Sequence, residues 1–255
     1  MKVYLNTVGG SHSRFSEDRV LVGHEIFLDD TAVRSLSRGN VVIADGVGGN
    51  RAGAVAAFKV CKMISDLDSP TEEDFIRINN VIIEQGLADE NRRDMATTLT
   101  GICFNDSGSA YYYHVGNTRL YSVQAGLYLN QITEDDTVVN HLVKTGKLTE
   151  EEAITYPKRN EITACFGGSS PSLLQMTIDD IDLKKHSCFL LTCDGIHESV
   201  TIDEMEDILA EDGGDWDLVV ERLVATAKAN GSTDDCTAVI IDCTAEENVD
   251  GTEVS

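Results

Sequence analysis

The chain has 255 residues, with 44 acidic against 20 basic side chains and a formal net charge of −24 at pH 7. That balance argues against unassisted binding to nucleic acid or to an anionic membrane, both of which need cationic surface, and it favours cations as ligands. An apolar share of 42% is ordinary for a globular protein, no stretch approaches the roughly 20 apolar residues of a bilayer-spanning helix, and residues 1–6 lack the apolar run of a secretory signal, so the expected location is the cytoplasm.

Ser16-Glu17-Asp18-Arg19 supplies the first acidic turn. Residues 41–44, Val-Val-Ile-Ala, read as a buried strand that runs straight into Asp45-Gly46-Val47-Gly48-Gly49. The end of such a strand aims the carboxylate, and glycine lets the backbone approach a ligand and frees the Gly46 carbonyl as an oxygen donor. Apolar residues recur at helical spacing over 52–65 and 71–88. Strands are expected at 97–104, 110–115, 119–123 and 127–132, several joined by short polar turns that suit antiparallel hairpins. A helix at 137–145 and strands at 162–166, 173–178 and 188–192 follow, and the last of these runs into a second acidic turn, Cys193-Asp194-Gly195. Helices at 203–210 and 215–229 precede Thr233-Asp234-Asp235, which leads into a strand at 236–243. Residues 245–255 are polar and acidic and are expected to fray.

With no repeat and only three prolines, one continuous domain over residues 1–244 is expected. Helices grouped in pairs around runs of strands favour an α+β fold over alternating βαβ units. Two antiparallel sheets packed face to face, with helices on both outer sides, would bury these strands.

One Asp-Gly is an ordinary turn signal, but four acidic turns at strand ends form a pattern. Carboxylates gathered at one end of a sheet repel one another unless cations neutralise them, which points to hard divalent ions with oxygen ligands, magnesium or manganese. The seven cysteines are scattered through apolar segments without a Cys-x-x-Cys pair, so buried reduced thiols are expected rather than disulfides or zinc. His12 and His197 lie near acidic turns and read more readily as structural than as catalytic.

Many blocks, in order along nearly the whole chain, resemble the metal-dependent 2C-type serine/threonine protein phosphatases, the PPM family, of bacterial type. They include Ser16-Glu17-Asp18-Arg19, Ala44-Asp45-Gly46-Val47-Gly48-Gly49, Ala96-Thr97-Thr98-Leu99, Val115-Gly116-Asn117-Thr118-Arg119, Pro157-Lys158-Arg159-Asn160, Cys193-Asp194-Gly195 and Asp234-Asp235-Cys236-Thr237. The resemblance implies an αββα sandwich and hydrolysis of phosphoserine and phosphothreonine by water activated at two Mg²⁺ or Mn²⁺ ions. It makes Asp18, Asp45, Asp194 and Asp234 the catalytic carboxylates. Asp45 bridges the ions, Asp194 and Asp234 serve the first, and the Gly46 carbonyl serves the second with Glu17 or Asp18, of which Asp18 is favoured. Residues 136–165 correspond to the family's flap beside the site. Phosphoprotein substrates, an opposing kinase and a monomeric state are implied as well.

Four positions depart from the family pattern. The arginine that binds substrate phosphate in many members falls on Ser13, with Arg14 one place later as its replacement. Asn117 stands where bacterial members carry the carboxylate of a third ion, so a third ion, if bound, is held weakly. Val47 replaces a histidine of eukaryotic members, which leaves protonation of the leaving group to water. Asp235 replaces an asparagine, either to tighten metal binding or to form a turn. A phosphoprotein-binding module without activity, and a phosphatase for small phosphoesters, are the competing readings.

Overall fold

The computed structural model describes residues 1–11, 16–47 and 51–244. The chain begins with β1 (Lys2–Val8), β2 (Arg19–Val22), β3 (Glu25–Phe27), β4 (Thr31–Ser35), β5 (Gly39–Ala44) and β6 (Gly46–Val47). The helices α1 (Arg51–Ser65) and α2 (Glu72–Leu87) come next, then β7 (Ala96–Thr97), β8 (Leu99–Phe104), β9 (Ala110–Val115), β10 (Arg119–Gln124) and β11 (Tyr128–Gln131). Beyond these lie α3 (Val138–Lys144), α4 (Glu150–Ile154), β12 (Phe166–Gly167), β13 (Thr177–Ile181) and β14 (Cys188–Thr192). The helices α5 (Asp194–His197), α6 (Ile202–Asp212) and α7 (Trp216–Ala229) precede β15 (Cys236–Asp242).

Residues 41–44 are wholly buried, which a strand achieves only when both its faces are covered. Alternate residues serve alternate neighbours. Val41 and Ile43 join the apolar cluster between the sheets, while Val42 and Ala44 join the cluster formed with Ala56, Val60 and Ile64 of α1 and Phe75, Ile78 and Ile82 of α2. The two large sheets are antiparallel, in the orders β11-β10-β14-β15-β1-β4 and β13-β9-β8-β5-β2-β3. The outer face of the first packs on α6 and α7 through Met205, Leu209, Val220 and Leu223. The result is an αββα sandwich, with α1 and α2 on one outer face and α6 and α7 on the other. A short third sheet, β12-β7-β6, sits at one end.

The four strands before residue 36 carry only short apolar stretches, such as the buried Val20-Leu21-Val22 of β2, and are not among the expected elements. The strand β1 buries Asn6 and Thr7 along with Val3 and Leu5, and β4 is an edge strand whose residues alternate between exposed and half-buried. Pairing with β15 and β1, not composition, makes them strands. The expected strand at 97–104 is split, because the Thr98 N–H turns to the Asp45 carbonyl (2.8 Å) and Ala96–Thr97 pairs with Gly46–Val47. The one expected at 162–166 is reduced to a bridge between Thr137 and Ile162 and the two residues of β12. That at 173–178 moves to Thr177–Ile181, since Pro171, capped by Ser170, folds Pro171–Leu173 into a 3₁₀ turn.

Residues 136–165 leave the sandwich carrying α3 and α4. Their base is closed by the Val138 N–H on the Glu161 carbonyl (2.9 Å) and the Thr163 N–H on the Asp136 carbonyl (2.7 Å). All seven cysteines are free thiols, six of them buried. Among the described residues no helix is long and apolar enough to cross a membrane. The expected tail, 245–255, lies outside the described residues.

Candidate metal centre

Asp45 follows β5 and Asp194 follows β14, so one buried strand from each large sheet ends in a carboxylate. Glu17 precedes β2 and Asp234 precedes β15. These four side chains line one cavity of about 270 Å³, together with Gly46, Val47, Asn117 and Asp235.

Close backbone approach makes this convergence possible at two places. A Cβ on Gly195 would stand 1.9 Å from the Asp235 carbonyl oxygen, and one on Gly46 would stand 2.4 Å from the carbonyl carbon of Gly53 in α1. Glycine alone lets α5 sit against the start of β15 and β6 against α1. The backbone at Asp45 is pinned as well, since its carbonyl accepts from the Thr98 N–H and the Thr97 hydroxyl, each at 2.8 Å.

Five carboxylates face this cavity, and no lysine, arginine or histidine is among the described lining residues. The consequence appears in their acidities. Burial, then the charge of Asp194, pushes Asp45 well above the usual carboxylate range, and burial, then Asp234, raises Asp194. Asp18 is pushed up to about 8, by burial first and Asp235 second. It is wholly buried behind the cavity wall; its Oδ2 accepts from the Thr237 hydroxyl (2.6 Å), and its Oδ1 has no hydrogen-bond partner among the described residues. An orphaned, buried carboxylate oxygen beside an all-oxygen donor set fits hard divalent cations, which would supply the missing positive charge.

Among the described residues no three carboxylate, imidazole or thiolate groups close on one point as a protein-only cage would.

Of the expected site residues, Glu17, Asp45, Gly46, Asn117, Asp194 and Asp234 meet at the cavity. Of the two adjacent acids, Glu17 lines the cavity while Asp18 is buried beneath its wall. The Asn117 amide nitrogen donates to Asp194 Oδ2 (3.0 Å). Arg14, with Ser13 and His12, lies outside the described residues. His197 is enclosed beside the Thr192 hydroxyl (2.9 Å), and burial holds it well below the usual imidazole range, which suits the structural role. Asn160 and Ile162, from the 136–165 segment, also line the cavity. Asn160 belongs to a block that marks the family resemblance, but no residue pattern signals that it faces the carboxylates.

No protein-family model matches the chain. It is 30% identical over 226 residues to protein phosphatase PhpP of Streptococcus pneumoniae, across 84% of this chain and 90% of that one. Its fold is similar to a crystal structure of a bacterial serine phosphatase, with TM-score 0.80 and 25% identity, covering 96% of this chain and 98% of the other. It is also similar to the catalytic domain of the serine/threonine protein phosphatase PstP in complex with two manganese ions, with TM-score 0.73 and 25% identity, covering 95% and 99%.

Proposed function

Because the chain belongs to the 2C-type (PPM) serine/threonine protein phosphatases, we propose that it hydrolyses phosphoserine and phosphothreonine in proteins with water activated at a pair of Mg²⁺ or Mn²⁺ ions. The observation that carries this reading is the cavity, with five carboxylates and the Gly46 backbone on its wall and no basic side chain among the described lining residues. Asp45, Asp194 and Asp234 would hold one ion, and Asp45, Glu17 and the Gly46 carbonyl would hold the other. The place of Glu17 on the cavity wall supports it over Asp18, which lies beneath the wall and accepts from the Thr237 hydroxyl. Ions so held lower the pKa of a water and offset charge on the phosphoryl oxygens. The two manganese ions bound by PstP support the count.

The remaining roles fall to the chain itself. Asn117 orients Asp194 through its amide, which makes a third ion at that position weak. Arg14 contacts the substrate phosphate, where a guanidinium makes a bidentate pair that serine cannot. With no histidine on the described wall, water protonates the leaving oxygen. Asn160 and Ile162 give the 136–165 segment a part in shaping substrate access. Residues 1–244 form the catalytic domain, and it works as a cytoplasmic monomer that opposes a serine/threonine kinase.

The test is turnover of p-nitrophenyl phosphate and of a phosphothreonine peptide with Mn²⁺, Mg²⁺ or EDTA, beside Asp45→Asn. Activity with either metal, and none with EDTA or in Asp45→Asn, is expected. Turnover that survives EDTA would sink the two-ion mechanism, and no turnover with any metal would favour a phosphoprotein-binding module. Arg14→Ala should raise KM more than it lowers kcat, and an unchanged KM removes Arg14 from the site.

A further inference from the structure

Asp235 follows Asp234 at the start of β15, and its carboxylate meets backbone amides. Oδ1 accepts from the Gly10 N–H at 2.6 Å, while Oδ2 accepts from the Glu17 N–H at 2.5 Å and more loosely from the Asp18 N–H at 3.4 Å. The side chain is buried, 6% exposed, so these bonds form largely out of water, where charge-assisted bonds are strongest. The same corner is stitched at further points. The Ser11 N–H donates to the Thr233 carbonyl (2.8 Å), and the Lys228 ammonium donates to the Asp234 carbonyl (2.7 Å) and the Gly9 carbonyl (3.3 Å). Through these bonds the start of β15 grips the chain on both sides of residues 12–15.

We propose that Asp235 is a positioning residue, which sets Glu17 on the cavity wall by binding the backbone at Gly10 and Glu17 simultaneously. The functional half of this proposal rests on the reading of Glu17 as an ion ligand. A carboxylate suits the task better than an amide would. Two acceptor oxygens can serve two separate N–H groups, whereas asparagine offers one oxygen and would turn its NH₂ donor toward the other N–H. Both oxygens of Asp235 accept short bonds from the backbone on either side of residues 12–15, which ties it to the segment that carries Glu17.

Amide hydrogen exchange separates these roles. Wild type, Asp235→Asn and Asp235→Ala would be compared in EDTA and in Mn²⁺, with Mn²⁺ affinity measured by isothermal titration. Without metal, the Gly10 and Glu17 amides of wild type should be protected. One should lose protection in Asp235→Asn and both in Asp235→Ala, while the amides of β8 and β14 keep theirs and show that the fold persists. Mn²⁺ affinity should fall by about 10-fold or more in Asp235→Ala, and by less in Asp235→Asn. A Glu17 amide that exchanges at one rate in all three proteins overturns the proposal. So does a loss of Mn²⁺ affinity with exchange unchanged, since that would make Asp235 a ligand. A wild type that binds no Mn²⁺ overturns the ion reading and the functional half with it, while the exchange pattern still decides whether the clamp exists.

Discussion

Gly195 has no room for a side chain, since a Cβ would fall 1.9 Å from the backbone oxygen of Asp235. Gly195→Ala must therefore push α5 away from the start of β15, separating Asp194 from Asp234. Overpacking of this kind costs about 1–3 kcal/mol, to be read as a lower urea midpoint, and Mn²⁺ affinity should fall in the same variant. A variant as stable as wild type with unchanged affinity would show that the two strands can part freely. Asp45, Asp194 and Asp234 were legible in the sequence because each stands at the edge of an apolar strand, where a turn aims the side chain. Which of Glu17 and Asp18 lines the cavity was not. Adjacent residues in extended chain point to opposite sides, and which side meets the cavity depends on how β2 pairs with β5. The bonds of Asp235 were equally hidden, since they end on backbone amides up to 225 residues away, where no side-chain pattern records them.

Helix α2 is held to its sheet by Phe75, which is fully buried with its ring 4.9 Å from Tyr113 and 6.1 Å from Phe166, centroid to centroid. Phe75→Ala should cost about 3–5 kcal/mol in urea unfolding, because the lost transfer energy is joined by the cavity left behind. The Mn²⁺ affinity of the folded variant should hold, since Phe75 does not line the carboxylate cavity. A cost under 1 kcal/mol would mean that α2 is anchored elsewhere. Long elements such as α2 show in the sequence because one apolar stripe recurs over four turns, and Thr71 and Asp74 close a capping box that fixes the start. The four-residue α5 and five-residue α4 are too short for a stripe. Before residue 36, β1 carries Asn6 and Thr7 inward and β4 lies at an edge, so only their partners reveal these two strands.

For the molecule as a whole, ions that bind only the folded state add stability by mass action. At 100-fold excess over Kd one site contributes about 2.7 kcal/mol, and at this chain length that raises Tm by roughly 5–10 °C. Scanning calorimetry in EDTA and in Mn²⁺ checks this, and coincident transitions would remove cations from the folded state. Acid pH acts through two enclosed histidines, His114 and His197, both held below the usual imidazole range by burial first. The unfolded chain protonates them near pH 6.5 while the folded chain does not. At these two groups the unfolded state then binds more protons, and their share of the stability falls as pH drops below about 6.5, by up to ~1.4 kcal/mol per pH unit for each, against the opposite slope that the raised carboxyls of Asp18, Asp45 and Asp194 give in EDTA. His197→Gln should flatten its share of that slope in Tm measured between pH 5 and 7, and an unaltered slope would show that His197 is already protonated when folded.

The placement of β15 between β14 and β1 also sets a clock. Asp18 and Thr237 share a hydrogen bond across 219 residues of chain, and a ribosome adding ~5–20 residues per second needs on the order of 10–40 s to deliver the second after the first. Throughout that interval the nascent polypeptide carries Asp18 without the strand that encloses it, and Asp234 has yet to be translated. A polypeptide halted by a premature stop codon before β15 lacks both Asp234 and the strand that joins β14 to β1, so the carboxylate cavity is the last part of the molecule to be completed.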